Sequence, residues 1–403
     1  MAYELDLRQF FRRAPHDWLK RYFEHIGVLQ DLDWSPITVR RIDPLFDAWN
    51  ELDDGIKVRT GEDFSNMTSL GSAVGKAAII DEAQFHPPSD SVASSLARLN
   101  DPLACAFWTY LEKQELWDGA LFFSAADNMS KKHWRKRANL PKLGRKPTDV
   151  DGRKLEAEIS ILFMAKEARG AHCRVHQYRR GDREYYFAYP QNHPTMSSEY
   201  DDKGEWTRRK FSPAFEIVFI HDDQDQSLTI WHQGSRERVQ DLQVAFANAV
   251  LGQSISPDSP RDERVYDLEP LGEPRFSFAP SPELGIASVE IRKLRIRILG
   301  EQNHTIRVDL GAHTPGHVLH DRMQAVISGI DASRIKIASV GLRVTFEPAP
   351  GEKRPTSRSF ELTWPNSCSL RNDEYGDRIR RMLAAHRIEP RRPLDGDEVA
   401  GKS

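Results

Sequence analysis

Hydrophobic positions recur at helical spacing from the start of the chain to about residue 128, then at alternating, strand-like spacing through most of the remaining length. Leu7, Phe10 and Phe11 begin an apolar stripe. Pro15 restarts it, as proline does at a first helical turn, and Trp18, Leu19, Tyr22, Phe23 and Ile26 carry it on to a stop at Gly27. The same spacing predicts helices over 38–56, 60–84, 91–99, 102–114 and 116–127, and Thr60 followed by Asp63 has the form of a capping box. Arg8, Arg12, Arg13, Lys20 and Arg21 fall mostly off the first stripe. A solvated helix face accounts for them, and a phosphate-contacting face is the alternative.

From Leu155 the period changes. LEAEISILFMAKEARG is a helical run. HCRVHQYRR with EYYFAYP, and AFEIVFIHDD with SLTIWHQG, read as two hairpins, and SRERVQDLQVAFANAVL closes the unit as a helix with Ser235 as N-cap. Tyr185, Phe187 and Tyr189 share a strand face. They are core, or else, with Arg174, Tyr178 and Arg180 of the preceding strand, a platform for single-stranded nucleic acid. Residues from about 190 to 212 read as a long polar loop.

Residues 257–280 are proline-rich and read as a connector. Beyond them, IASVEIRKLRIRIL with HTIRVDLG and IKIASVGLRVTFEP with SRSFELTW are hairpins, each succeeded by a helix, so that hairpin-then-helix forms a loose internal repeat. Lys293, Arg295 and Arg297 share one strand face, with Leu294, Ile296 and Ile298 on the other; Arg307 and Arg343 extend the basic face. WPNSC at 364–368 reads as a rigid strand exit that caps the last helix.

The predicted fold class is therefore α+β. An all-helical N-terminal domain (1–128) and a basic linker or arm (129–154) lead into an α+β domain (155–256). A Pro-rich connector (257–280) joins it to a second α+β domain of two hairpin–helix units (281–390), and a disordered tail (391–403) ends the chain. The sheets are expected to be antiparallel and covered by helices on one side, in two layers.

Composition adds less. At 403 residues the chain has enough length for two or three domains with large cores. Lys plus Arg total 57 against 60 acidic residues, so global charge favours no partner. Three widely spaced cysteines without a CxxC give neither a disulfide framework nor a cysteine zinc site. The N-terminus lacks a signal-peptide core and no apolar run approaches the ~20 residues a membrane span needs, so a cytoplasmic protein without a membrane partner is expected.

Local charge is more telling. Residues 129–154 hold Lys131, Lys132, Arg135, Lys136, Arg137, Lys142, Arg145, Lys146, Arg153 and Lys154, opposed only by Asp149 and Asp151, with Trp134 inside the run. Such cations release counterions from a phosphate backbone, and an indole stacks on an exposed base. A solvated linker with a docked Trp134, or an arm for an acidic protein surface, are the alternatives.

Catalytic patterns are weak. GSAVGKA has three residues between its glycines where a phosphate loop needs four, and Ala77 comes after its lysine. His313, His317 and His320 approach zinc-ligand spacing, but HExxH is absent and no carboxylate lies between them. His221, Asp222, Asp223 and Asp225 would suit a magnesium-dependent nuclease or phosphodiesterase, or simply form a polar turn. No GxSxG occurs, and no cofactor or metal is expected.

Together these features favour a non-catalytic intracellular nucleic-acid-binding or accessory protein within a larger assembly, such as a bacterial defence or mobile-element system. Lys131, Lys132, Trp134, Arg135, Lys136, Arg137, Lys142, Arg145 and Lys146 are the expected contacts, with Arg295, Arg297 and Arg307 second to them. A metal-dependent nuclease and a protein–protein scaffold are the alternatives.

Overall fold

The computed structural model describes residues 5–86, 89–201, 204–279, 281–300, 304–348 and 355–389. The tail expected from residue 391 lies outside them. The chain forms two compact units, Met1–Met129 together with Tyr178–Gly181, and Ser130–Gln177 together with Asp182–Ser403.

The first unit is helical, as its period predicts. Its helices are α1 (Leu7–Arg13), α2 (His16–His25), α3 (Asp43–Asn50), α4 (Asp54–Leu70), α5 (Ala73–Ala83), α6 (Ser89–Arg98), α7 (Pro102–Glu112) and α8 (Trp117–Asn128). Asp6 caps α1 and Asp101 caps α7, each accepting a backbone N–H just inside the helix. Phe10, Phe11, Tyr22, Phe23, Phe64 and Phe107 are buried together. The Asp63 carboxylate accepts from the hydroxyls of both Tyr22 (2.6 Å) and Tyr110 (3.0 Å).

Two local expectations fail here. The helix expected over 60–84 is broken at Gly71, where Ser72 caps the next helix by accepting from the Gly75 N–H at 3.1 Å. A Cβ on Gly75 would lie 2.2 Å from the Leu70 carbonyl oxygen, so this corner requires glycine. Thr60 is no cap but an interior residue of α4, its hydroxyl donating to the Ile56 carbonyl and accepting from the Trp49 indole at 2.9 Å. In the same unit Arg180 is buried. It pairs with Asp81 (2.7 Å) and Asp127 (2.9 Å).

The second unit opens with β1 (Trp134–Arg137) and α9 (Asp149–Glu167). Next are β2 (Cys173–Arg180), β3 (Arg183–Pro190), β4 (Thr195–Tyr200), β5 (Trp206–Phe211), β6 (Ile217–Asp222) and β7 (Ser227–Trp231). Then come α10 (Arg236–Phe246), α11 (Pro260–Glu263), β8 (Ile286–Ile298), β9 (His304–Asp309) and α12 (Val318–Ile327). The chain continues through β10 (Ile335–Phe346), β11 (Ser357–Thr363) and β12 (Ser367–Cys368) to α13 (Glu374–Ala385).

Two five-stranded sheets result, with orders β1-β7-β6-β3-β2 and β12-β11-β10-β8-β9, and the paired registers are antiparallel. The internal repeat is one of local grammar only. In the first sheet β3, the second strand of its hairpin, pairs with β6; in the second sheet β8, a first strand, pairs with β10. α9 and α10 bury Leu155, Ile159, Phe163, Leu242 and Phe246 against Tyr186, Phe219 and Ile230 of the first sheet. α12 and α13 bury Leu319, Met323, Ile379 and Met382 against Leu294, Ile296, Val340 and Leu362 of the second.

The aromatic face of β3 is core, the first of its two readings: Tyr185, Tyr186, Phe187 and Ala188 are all fully buried, which leaves no stacking platform. Two further expectations change. The loop expected over 190–212 contains the β4–β5 hairpin. The WPNSC turn joins β11 to β12, and α13 is capped instead by Asp373, which accepts from the Gly376 N–H at 2.7 Å.

His232 lies just past β7 and packs between the rings of Phe163 and Phe215. Burial, reinforced by the nearby Arg169 guanidinium, pushes its pKa down to about 4. The folded protein therefore keeps this ring neutral where the unfolded chain, titrating near ~6.5, takes up a proton. Stability from this residue is complete above pH ~6.5 and is lost progressively toward pH ~4, by on the order of 3 kcal/mol. In thermal unfolding across pH 4–7, His232→Phe is expected to flatten that part of the profile. An unchanged slope would mean that His232 does not titrate as its surroundings dictate.

Candidate anion-binding cleft

The basic segment does not hang free. Ser130 accepts from the Trp231 indole at 3.0 Å and His133 accepts from the His232 backbone at 3.4 Å, which pins a single 3-10 turn, Lys131–His133, to the end of β7. The next four residues are β1, paired along β7 from Trp134–Trp231 to Arg137–Leu228. The strand also reaches the second sheet, where the Lys136 N–H donates to the Asn366 carbonyl at 2.9 Å.

This pairing sorts the cations of the run. Trp134 is buried and cannot stack on a ligand. Arg137 is 2% exposed and donates to Gln243 Oε1 (3.1 Å) and the Ser256 carbonyl (2.7 Å), with Asp262 at 3.4 Å. Lys136 is held by Asp225 (2.5 Å) and Glu389 (2.6 Å). Burial opposes its charge, but the two carboxylates outweigh burial and raise its pKa. Arg145 grips Asp151 through two bonds of 2.7 and 2.8 Å. Asp151 also closes the capping box of α9 with Thr148, and its pKa is lowered to about 2, chiefly by Arg145. Trp134, Lys136, Arg137 and Arg145 are therefore corrected from ligand contacts to structural residues. Lys142 and Lys146 are exposed on the stretch before α9.

Lys131, Lys132 and Arg135 instead line a cavity of about 630 Å³ within the second unit. Arg295 of β8 lines it too, so two basic features far apart in sequence meet. α10 contributes Arg236, Gln240 and Gln243, and the β11–β12 turn contributes Trp364, Asn366 and Ser367. Arg135 donates only to neutral oxygens: the carbonyls of Lys132 and Trp134 at 2.8 Å and the Ser367 hydroxyl at 3.2 Å. Burial disfavours its charge and lowers its pKa.

The carboxylates of the cavity are already engaged. Glu263 pairs with Arg236 and accepts from Gln240 at 2.7 Å, while Glu361 pairs with Lys293 at 3.1 Å. Among the described residues no carboxylate pairs with Lys132, Arg135 or Arg295, so the cleft carries uncompensated positive charge beside an indole, Trp364, that is 49% exposed. A planar anion would find both of its needs there, cations for its charge and a ring for its face.

Arg297 and Arg307 stay outside the cavity. Both are exposed, Arg297 facing Thr305 and Lys336 in the register and Arg307 pairing with Asp309 at 2.6 Å. The acidic turn is held internally. Asp222 faces Arg183 at 3.3 Å, Asp223 accepts from the Leu143 N–H at 2.6 Å, and Asp225 binds Lys136. His320 points inward to the Leu271 carbonyl at 3.1 Å, whereas His313 and His317 are exposed. No metal-ligating group of three converges among the described residues.

Trp364 and Arg236 were not anticipated. Arg236 carried a signal: a cation in the first turn of a helix opposes the dipole and needs a partner. Comparison with known protein families, with curated proteins and with solved structures finds no match to this chain.

Arg137→Met removes the bonds to Gln243, Ser256 and Asp262, leaving the buried Gln243 side chain and the Ser256 carbonyl without this donor and Asp262 with Asn139. The expected cost is about 3 kcal/mol in urea unfolding, with Arg137→Lys restoring only part of it. A variant as stable as wild type would show that β1 does not depend on this guanidinium.

Proposed function

We propose that this chain binds single-stranded nucleic acid, with phosphates on Lys131, Lys132, Arg135 and Arg295 and a base against Trp364. The observation that carries the reading is the convergence of these four cations beside an exposed indole. The cavity has the volume of a small-ligand pocket, which suits one or two nucleotides of a strand and not the body of a duplex. The reading is one of binding without cleavage, because the two carboxylates that line the cavity, Glu263 and Glu361, are each paired with a cation. The protein would act as an accessory subunit that holds a strand for others to act upon. An intracellular setting goes with this role. Cys105, Cys173 and Cys368 are free thiols, and no helix among the described residues is long and apolar enough to cross a membrane.

The test is fluorescence anisotropy with labelled single-stranded DNA and RNA over a salt series. The four phosphate contacts of the cleft are expected to contribute about −3 to the slope of log K against log salt. Replacing Lys131, Lys132 and Arg295 by Gln is expected to reduce that slope by about 2. Trp364→Ala is expected to weaken binding about tenfold and leave the slope in place, because stacking releases no counterions. Equal competition by polyglutamate would point to an acidic protein partner instead. No binding by wild type at ~50 mM salt would end the nucleic-acid reading.

A further inference from the structure

The β4–β5 hairpin is built unlike the rest of the second unit. It continues the pairing of β3 with β6 through the Gln191–Ala214 bridge and the bond from the Asn192 N–H to the Pro213 carbonyl at 2.7 Å. Beyond that point the two strands pair with each other. Met196, Tyr200, Trp206 and Phe211 are 48%, 74%, 60% and 45% exposed, and none belongs to a hydrophobic cluster. A two-stranded ribbon is marginal in water on its own, and large apolar side chains displayed on one are suited to a partner.

The register says which partner. Directly opposed residues share a face, and the rows Tyr200–Trp206, Ser198–Arg208 and Met196–Lys210 make up one face of the ribbon. That face holds two adjacent aromatic rings, then two cations, and no carboxylate. Glu199 lies on the opposite face, in the row with Thr207. Arg208 and Lys210 form no ion pair with any described residue, so their charge is available to an anion. Rings flanked by cations match bases flanked by phosphates, a match that a hydrophobic or an acidic protein surface would meet only in part.

We propose that this face is a second contact for single-stranded nucleic acid, with bases on Tyr200 and Trp206 and phosphates on Arg208 and Lys210. The proposal shares with the cleft the reading that the ligand is nucleic acid, but it rests on a different observation and is tested by different residues. Because the contacts are to ring faces and backbone, the ribbon would accept strands of any sequence.

The experiment compares full-length wild type with Tyr200→Ser/Trp206→Ser, with Arg208→Gln/Lys210→Gln and with the triple cleft variant. Each is titrated with a labelled ~20-nucleotide single strand across a salt series, after circular dichroism confirms the fold. The ring variant is expected to bind about tenfold more weakly with an unchanged salt slope, and the cation variant to lose about 1.4 from the slope. A strand carrying photoreactive iodouracil is expected to cross-link to the 195–211 peptide. If both hairpin variants bind like wild type and no adduct forms, the hairpin proposal falls while the cleft reading stands. If only the hairpin variants weaken binding, the cleft reading falls and the hairpin stands. A wild-type dimer in light scattering that the ring variant turns to monomer, with nucleic-acid affinity unchanged, would reassign the face to self-association.

Discussion

The α+β unit hangs on a guanidinium that water does not reach. Arg137 sits at the end of β1 and ties three stretches of chain together: α10 through Gln243, the chain beyond it through the Ser256 carbonyl, and α11 through Asp262. A buried charge is tolerated only where fixed partners replace its hydration, so each of these partners is held in place by the need of the others. β1 can then lie between two sheets. It is the edge strand of one by its pairing with β7, and it bonds to the β11–β12 turn of the other through Lys136 and Asn366. Lys136 adds a second tie, from the β6–β7 turn at Asp225 to Glu389 just past α13.

The cleft is a consequence of that seam. Because β1 is fixed, the turn before it projects Lys131 and Lys132 toward the face of the second sheet that carries Arg295. Arg135 is fixed beside them by carbonyls and a hydroxyl, groups that orient it without cancelling its charge. One strand thus uses one type of side chain in two ways. Arg137 and Lys136 meet carboxylates and hold the structure, while Arg135 meets neutral oxygens that leave its charge uncancelled. What separates them is the identity of the partner atom, not position along the run.

That distinction explains what the sequence could show. The elements were legible because their periods were clean: β8 alternates Leu294, Ile296 and Ile298 inward with Arg295 and Arg297 outward, and the structure keeps that alternation. The helix break at Gly71 was not legible, since the apolar stripe runs on through it and only a close approach of Gly75 to Leu70 reveals the corner. In the basic run the density of charge was visible, but the carboxylates that neutralise Lys136 lie 89 and 253 residues away, so no local pattern separates a structural lysine from a free one. The aromatic was misplaced for the same reason. Trp134 faces Trp231 across β1 and β7 and is buried, whereas Trp364 stands on a turn between two short strand ends and is half exposed.

Both surfaces proposed for nucleic acid combine a ring with cations, yet the balance differs in a way that assigns them different work. The cleft concentrates several charges around a confined volume, so on the proposed reading it would be the stronger electrostatic attractor, and its grip would weaken most as salt rises. The hairpin offers two wide-open rings and fewer charges, so a larger share of its proposed contribution would come from stacking, which salt hardly affects. A strand captured by charge and retained by stacking stays bound over a wider range of ionic strength than either contact alone allows. Joining the two proposed contacts on one chain would make the second binding step intramolecular, which raises overall affinity without any new interaction. The exposure of Tyr200 and Trp206, a liability in a ribbon with no ligand, is then the condition for that second step.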